Sequence, residues 1–201
     1  MSSTVAAPPR TLADVLLPRQ RSWLLDAALV VGFSVLVGLT AQVAIPLWPV
    51  PLTLTTLGVL FTGSALGSKR GALALLLYLA EGAAGLPVFA GGASGIAYML
   101  GPTGGYLVGF VFAAGVVGLL AERGWDRRPL WTAVAMVVGN LVIYALGVAW
   151  LAVFLGDLRT AFVQGVLIFI IGDLVKIAIA TLALPGGWVL ARRRDGNRSV
   201  E

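Results

Sequence analysis

From Trp23 to Ala191 this chain is a series of long apolar runs, and its charges collect in the short segments between them. A helix that crosses a bilayer needs about 20 apolar residues, fewer where it is short or partly buried in protein. Runs of this kind predict an all-α integral membrane protein. Composition agrees. Hydrophobic residues make up 59% and charged residues 11%, against about 25% charged in a soluble domain. The mean hydropathy is +0.96, and 201 residues fit a single domain.

Six spans are expected: Trp23 to about Ile45, Thr53 to Leu66, Ala72 to Glu81, Tyr106 to Ala121, Leu130 to Phe154, and Ala161 to Ala191 with a bend near Pro185-Gly186-Gly187. Pro46, Pro49 and Pro51 end the first, because proline removes a backbone donor and breaks helices. Gly67-Ser68-Lys69-Arg70-Gly71 reads as a turn. The division that follows is an N-terminal tail over 1–22, a six-helix substrate-binding domain over 23–191 and a basic tail over 192–201.

With six spans, twelve Lys and Arg residues fall on one side, both termini included, and Arg159 stands alone on the other. Lys and Arg concentrate on the cytoplasmic side of membrane proteins. Both termini of a multi-pass protein in a prokaryotic plasma or inner membrane are therefore expected in the cytoplasm. The pI of about 10.2 has the same origin and does not call for a nucleic-acid partner. With no Cys and no His, the chain excludes disulfides, zinc sites of the usual ligand types and Cys- or His-based nucleophiles. It has no phosphate-cradling G-x-x-x-x-G-K-[ST] and no catalytic constellation, so no enzyme activity, cofactor or metal is expected.

Two charges break the last apolar run, Asp173 and Lys176 in Gly172-Asp173-Leu174-Val175-Lys176. Each costs roughly 2.5–3.5 kcal/mol at the centre of a membrane helix on insertion scales. At i and i+3 they share one face, which must look into the protein. A structural ion pair and a ligand site are both consistent with this. Asn140 and Tyr144, at i and i+4, share another face, read either as an interhelical hydrogen bond or as a pocket. Gln42, Thr53, Thr55 and Thr56 are weaker candidates, and Glu81 is a lone acid near the end of the third span. Ala28-x-x-x-Gly32 and Ser34-x-x-x-Gly38 allow close helix approach, within the fold or against another subunit.

The stretch from Gly85 to Gly105 carries seven glycines, two prolines and no charge. Irregular backbone at membrane depth is tolerated only where protein buries it or it lines a cavity. This segment and the stiff Pro46–Leu52 are expected to fold back as outward loops over the bundle, either capping a ligand pocket or simply packing.

The residues from about Ala41 to Lys176 resemble BioY, the biotin-specific S component of energy-coupling-factor (ECF) vitamin transporters. The resemblance rests on five blocks in order. The first is the segment from Gln42 to Thr53, rich in proline. Next come Leu77-Tyr78-Leu79 with Gly85-Leu86-Pro87-Val88-Phe89-Ala90-Gly91-Gly92, and Gly101-Pro102-Thr103-Gly104-Gly105-Tyr106. The last two are Asn140 with Tyr144, Gly147 and Trp150, and Gly172-Asp173-x-x-Lys176. Thr56, Ala93-Ser94 and Glu81 depart from the family's pattern. The resemblance implies a six-helix fold that binds biotin from outside, energised by a transmembrane coupling subunit and two cytoplasmic ATPases. It implies that Ala28 and Gly32 face the coupling subunit. Biotin offers two ureido N–H donors, a carbonyl and a carboxylate. Asp173 and Asn140 suit the ureido ring, Lys176 the carboxylate or Asp173 itself, Tyr98 and Tyr106 the ring faces, and Gly91 and Gly92 close backbone access. The alternatives are an S component for another small vitamin and a membrane structural or assembly protein without a ligand.

Overall fold

The computed structural model describes residues 11–16 and 22–198; most of the expected N-terminal tail over 1–22 lies outside them, whereas the expected C-terminal tail is helical as far as Arg198. Nine α-helices are found among these residues: α1 Leu12–Leu16, α2 Trp23–Gln42, α3 Thr55–Leu66, α4 Ser68–Ala83, α5 Ile96–Met99, α6 Gly104–Glu122, α7 Pro129–Leu155, α8 Leu158–Phe162 and α9 Ile170–Arg198. Two short strands, β1 Ala44–Ile45 and β2 Leu52–Thr53, pair antiparallel with Ala44 opposite Thr53, and so pin the base of the proline-rich loop.

α2, α6, α7 and the part of α9 from Ile170 to Leu190 are each long and apolar enough to cross a membrane. α3, with 12 residues, and α4, with 16, are shorter. The chain is a helical membrane protein. α6 is the most enclosed of the long helices, and α2 and α9 leave most of their surface outward. Small residues put α6 at the centre. Gly63 of α3 lies against the backbone of Ala114 of α6, and Gly71 of α4 lies against the backbone of Gly63, so a side chain on either would leave too little room. Without hydrophobic drive between helices in lipid, such close van der Waals packing is a main source of cohesion.

Several boundaries differ from expectation. α2 stops at Gln42 because the next residues pair as β1. The turn between α3 and α4 is one residue, Gly67 at φ 83°. Ser68-Lys69-Arg70-Gly71 is already the first turn of α4, since the Glu122 carboxylate accepts from the Ser68 N–H at 2.8 Å and its hydroxyl at 2.9 Å. The expected sixth span does not run unbroken from Ala161. α8 is capped by Asp157, a π-turn over Val163–Leu167 follows, and α9 starts at Ile170. The wide turn coincides with Tyr106, whose hydroxyl donates to the Gly165 carbonyl at 3.0 Å and so satisfies a group the irregular ladder leaves over. α9 then continues through Pro185-Gly186-Gly187 to Arg198.

The glycine-rich loop folds back on the bundle. Gly91 and Gly92 have φ of 64° and 79°, values glycine adopts without strain, and turn the chain so that Phe89 plunges inward. Phe89 is fully buried, edge-on to Tyr78 at 5.4 Å and stacked on Tyr98 at 5.3 Å. Gln42 Nε2 donates to the carbonyls of Gly38 at 2.9 Å and Phe89 at 3.3 Å, clasping the loop to the end of α2. Trp150 Nε1 holds its far end through the Gly101 carbonyl at 2.8 Å.

Candidate ligand-binding site

Beneath this loop lies a cavity of about 60 Å³, walled by β2, α3, α4, α6, α7, α9 and the loop. Its polar end is built from four residues on three helices. Lys176 Nζ donates to Asp173 Oδ1 at 2.9 Å and to Thr56 Oγ1 at 2.9 Å. The Tyr144 hydroxyl donates to Asp173 Oδ2. Asp173 and Lys176 are 6% and 7% exposed, so their charges are compensated by each other and by two hydroxyls rather than by water. Removing one member of such a pair strands the other. Phe169 precedes Asp173 by one turn and joins the same wall.

The apolar end is aromatic. Tyr98 comes from the loop, Tyr106 and Phe110 from α6, and Tyr78 from α4. Tyr106 lies flat against Gly147, where any side chain would displace its ring. A polar, ion-paired end and an aromatic end suit a small ligand that carries hydrogen-bonding groups on an apolar body.

Of the eight residues expected at the pocket, Asp173, Lys176, Tyr144, Tyr98 and Tyr106 line it. Asn140, a turn before Tyr144, is buried but outside the wall, and its Oδ1 has no partner among the described residues. Gly91 and Gly92 are exposed, and their neighbour Ala90 reaches the cavity instead. Thr56 has a larger part than the sequence assigned to it. Tyr78, Thr103, Phe110 and Phe169 were missed. Tyr78 and Thr103 fall within the blocks that carry the family resemblance, and Phe169 stands at i, i−4 from Asp173, but none of these was read as a pocket residue. Gln42 serves the loop, and Glu81 accepts from Ser34 at 2.5 Å between α4 and α2.

Small-residue pairs on α2 separate cleanly. Ser34 and Gly38 are buried inside the fold, whereas Ala28 and Gly32 are exposed, and nothing lies within 4 Å of a Cβ placed on Gly32.

Fold and site together define a helical membrane protein with a cavity under the glycine-rich loop. The match to a sequence profile of the BioY family over residues 13–193 makes the assignment specific: this chain belongs to the BioY family. It is 42% identical over 172 residues to the probable biotin transporter BioY of Pyrococcus horikoshii, covering 86% of this chain and 97% of that protein. It is 43% identical over 150 residues to the biotin transporter BioY of Thermotoga maritima, covering 75% and 88%. The crystal structure at 2.1 Å of the S-component for biotin from an ECF-type ABC transporter superposes with a TM-score of 0.73 at 25% identity, over 86% of this chain and 92% of that one.

Proposed function

We propose that this chain is the biotin-binding membrane subunit of an ECF-type uptake system, and not an enzyme. The observation that carries the reading is the buried Asp173–Lys176 pair facing an aromatic-walled cavity. A carboxylate accepts N–H donors, which matches the ureido ring. Lys176 either meets the biotin carboxylate or holds Asp173 in place, and Tyr98 and Tyr106 cover the bicycle. Asn140, Gly91 and Gly92 belong to the site only if the pocket rearranges around its ligand.

In this reading the rearrangement takes place at the loop that roofs the cavity. The loop over 85–103 lifts, and the Gln42 clasp and the edge-on contact of Phe89 with Tyr78 are what it lifts against.

In this reading six helices span the membrane, the short α3 being enclosed by the bundle and the short α4 presenting Leu73 and Leu76 outward, and both termini are cytoplasmic. Segments 1–22 and 192–201 flank the substrate-binding domain over 23–191. The outward Ala28–Gly32 face of α2 receives a transmembrane coupling subunit, and separate ATPases supply the energy.

The deciding experiment is calorimetric titration of biotin into the purified, detergent-solubilised protein, checked by mass spectrometry for copurified ligand. One-to-one saturable binding, weakened at least tenfold by Asp173→Ala, is expected. No binding to folded, ligand-free protein would reject biotin, and a panel of other vitamins would then be the next titration.

A further inference from the structure

At the far end of the bundle from the glycine-rich loop, the segment linking α6 to α7 reads Glu122-Arg123-Gly124-Trp125-Asp126-Arg127-Arg128. By sequence its charges nearly balance. The fold separates them. Glu122 is turned onto the start of α4, where it caps Ser68. Asp126 is 2% exposed and accepts from Trp188 Nε1 at 2.5 Å. Both acids are thus directed inward, with Arg127 near enough to act on Asp126, and the exposed Arg123 and Arg128 stand with Arg127, Trp125 and Trp131 around a cleft of about 570 Å³. Arg127 is held over the Trp188 ring at 4.5 Å, and the two cleft tryptophans pack on each other at 4.7 Å.

The depth of the cleft along the bundle is fixed by its neighbours. α6 ends at Glu122 and α7 begins at Pro129, so the cleft sits where two apolar helices leave the membrane. Directly beside it Leu119, Leu130 and Val134 are exposed, as lipid-facing residues are. Tryptophans of this kind mark the headgroup level. Guanidinium groups bind phosphate with paired, charge-assisted hydrogen bonds, and basic pockets at helix ends on the cytoplasmic side take anionic lipid headgroups.

We propose that the Arg123–Arg127–Arg128 cleft is a binding site for the phosphate of an anionic phospholipid, with the acyl chains lying along the exposed apolar side of α6 and α7. The site is independent of the vitamin pocket, and its cytoplasmic placement uses the orientation proposed above.

The test is native mass spectrometry of the delipidated full chain in detergent, titrated separately with dioleoylphosphatidylglycerol, dioleoylphosphatidylcholine and inorganic phosphate. Phosphatidylglycerol is expected to bind at least tenfold more tightly than phosphatidylcholine. Arg123→Gln/Arg128→Gln, which leaves the Arg127–Trp188 contact intact, should remove most of that preference. Arg159→Gln, at the other end of α7, should leave it unchanged. If the double variant does not fold, judged by size-exclusion profile and Tm, each single substitution should still weaken phosphatidylglycerol at least threefold. Equal binding of the two lipids, or a preference untouched by the arginine substitutions, overturns the proposal. So does inorganic phosphate binding as tightly as the lipid, which would make the cleft a site for the free anion. An arginine effect seen only with a coupling protein present would assign the cleft to that partner and equally overturn it. None of these outcomes depends on biotin binding.

Discussion

Lys176 Nζ stands 2.9 Å from Asp173 Oδ1 and 2.9 Å from Thr56 Oγ1, so a single ammonium ties the carboxylate of α9 to α3. The polar end of the pocket is therefore complete within the protein, and a ligand must exchange with these contacts. Lys176→Met leaves a buried carboxylate without its cation and should cost roughly 3–5 kcal/mol of stability. Asp173→Asn/Lys176→Met removes both charges and should recover most of that loss. Unfolding in detergent, read as a double-mutant cycle, checks this. A double variant as unstable as the sum of the two singles would mean that the pair is not coupled.

Tyr144→Phe tests the second contact to Asp173. The ring keeps its place in the wall, and only the hydroxyl that donates to Oδ2 is lost. A hydrogen bond to a charged group contributes about 1.5–3 kcal/mol. Biotin affinity by calorimetry should fall about tenfold as the carboxylate loses its orientation. Unchanged affinity would show that Lys176 and Thr56 alone hold Asp173.

Much of this architecture was legible before any coordinates. Four long helices were clear because lipid-facing and core-facing residues are both apolar there, so a run of suitable length suffices. Asp173 and Lys176 were legible because an isolated charge in such a run has few places to go. The failures share one cause. Tyr78, Phe110 and Phe169 are pocket residues, yet an aromatic side chain in an apolar helix looks the same whether it meets lipid, core or ligand. The break before Ile170 was hidden for a related reason: the π-turn's Gly165 carbonyl finds its partner in the hydroxyl of Tyr106, 59 residues away. Asn140 was paired with Tyr144 on spacing, but spacing places two residues on one face and does not say how deep the pocket reaches along it.

Asp126 predicts a pH dependence outside the spans. Burial raises its pKa from 3.8 to about 6, against the lowering effects of the Trp188 hydrogen bond and of Arg127. The folded protein therefore holds a proton that the unfolded chain releases between these values. Stability should fall as pH rises from about 4 to about 6 and stay level above. A shift of this size corresponds to about 3 kcal/mol at most, from 1.36 kcal/mol per pKa unit. Asp126→Asn keeps an acceptor for Trp188 and should flatten the curve in that window while raising Tm at pH 7. Tm against pH for the two proteins reads this directly. Parallel curves would mean that Asp126 is ionised at little cost in the fold.

The first helix is fastened to the bundle by one arginine. Arg70 donates to Asp14 Oδ1 at 2.6 Å, to Asp26 Oδ1 at 3.0 Å and to Thr11 Oγ1 at 3.1 Å. Thr11 and Asp14 also cap each other's backbone N–H at 3.3 Å. A helix of five residues cannot hold its shape alone, so this network and the packing of Leu12 on Trp188 must keep α1 in place. Asp14→Ala should loosen α1 without unfolding the bundle, to whose main core α1 contributes only Ala13 among the described residues. The absence of cysteine from the chain makes a clean probe available: Ala13→Cys, buried when α1 is docked and leaving the Leu12–Trp188 packing in place. Maleimide labelling of that single thiol should be at least several-fold faster when Asp14→Ala is added, with Tm changed little. Equal labelling rates would mean that apolar packing alone holds α1, and that Arg70 serves chiefly to neutralise Asp26 at the start of α2.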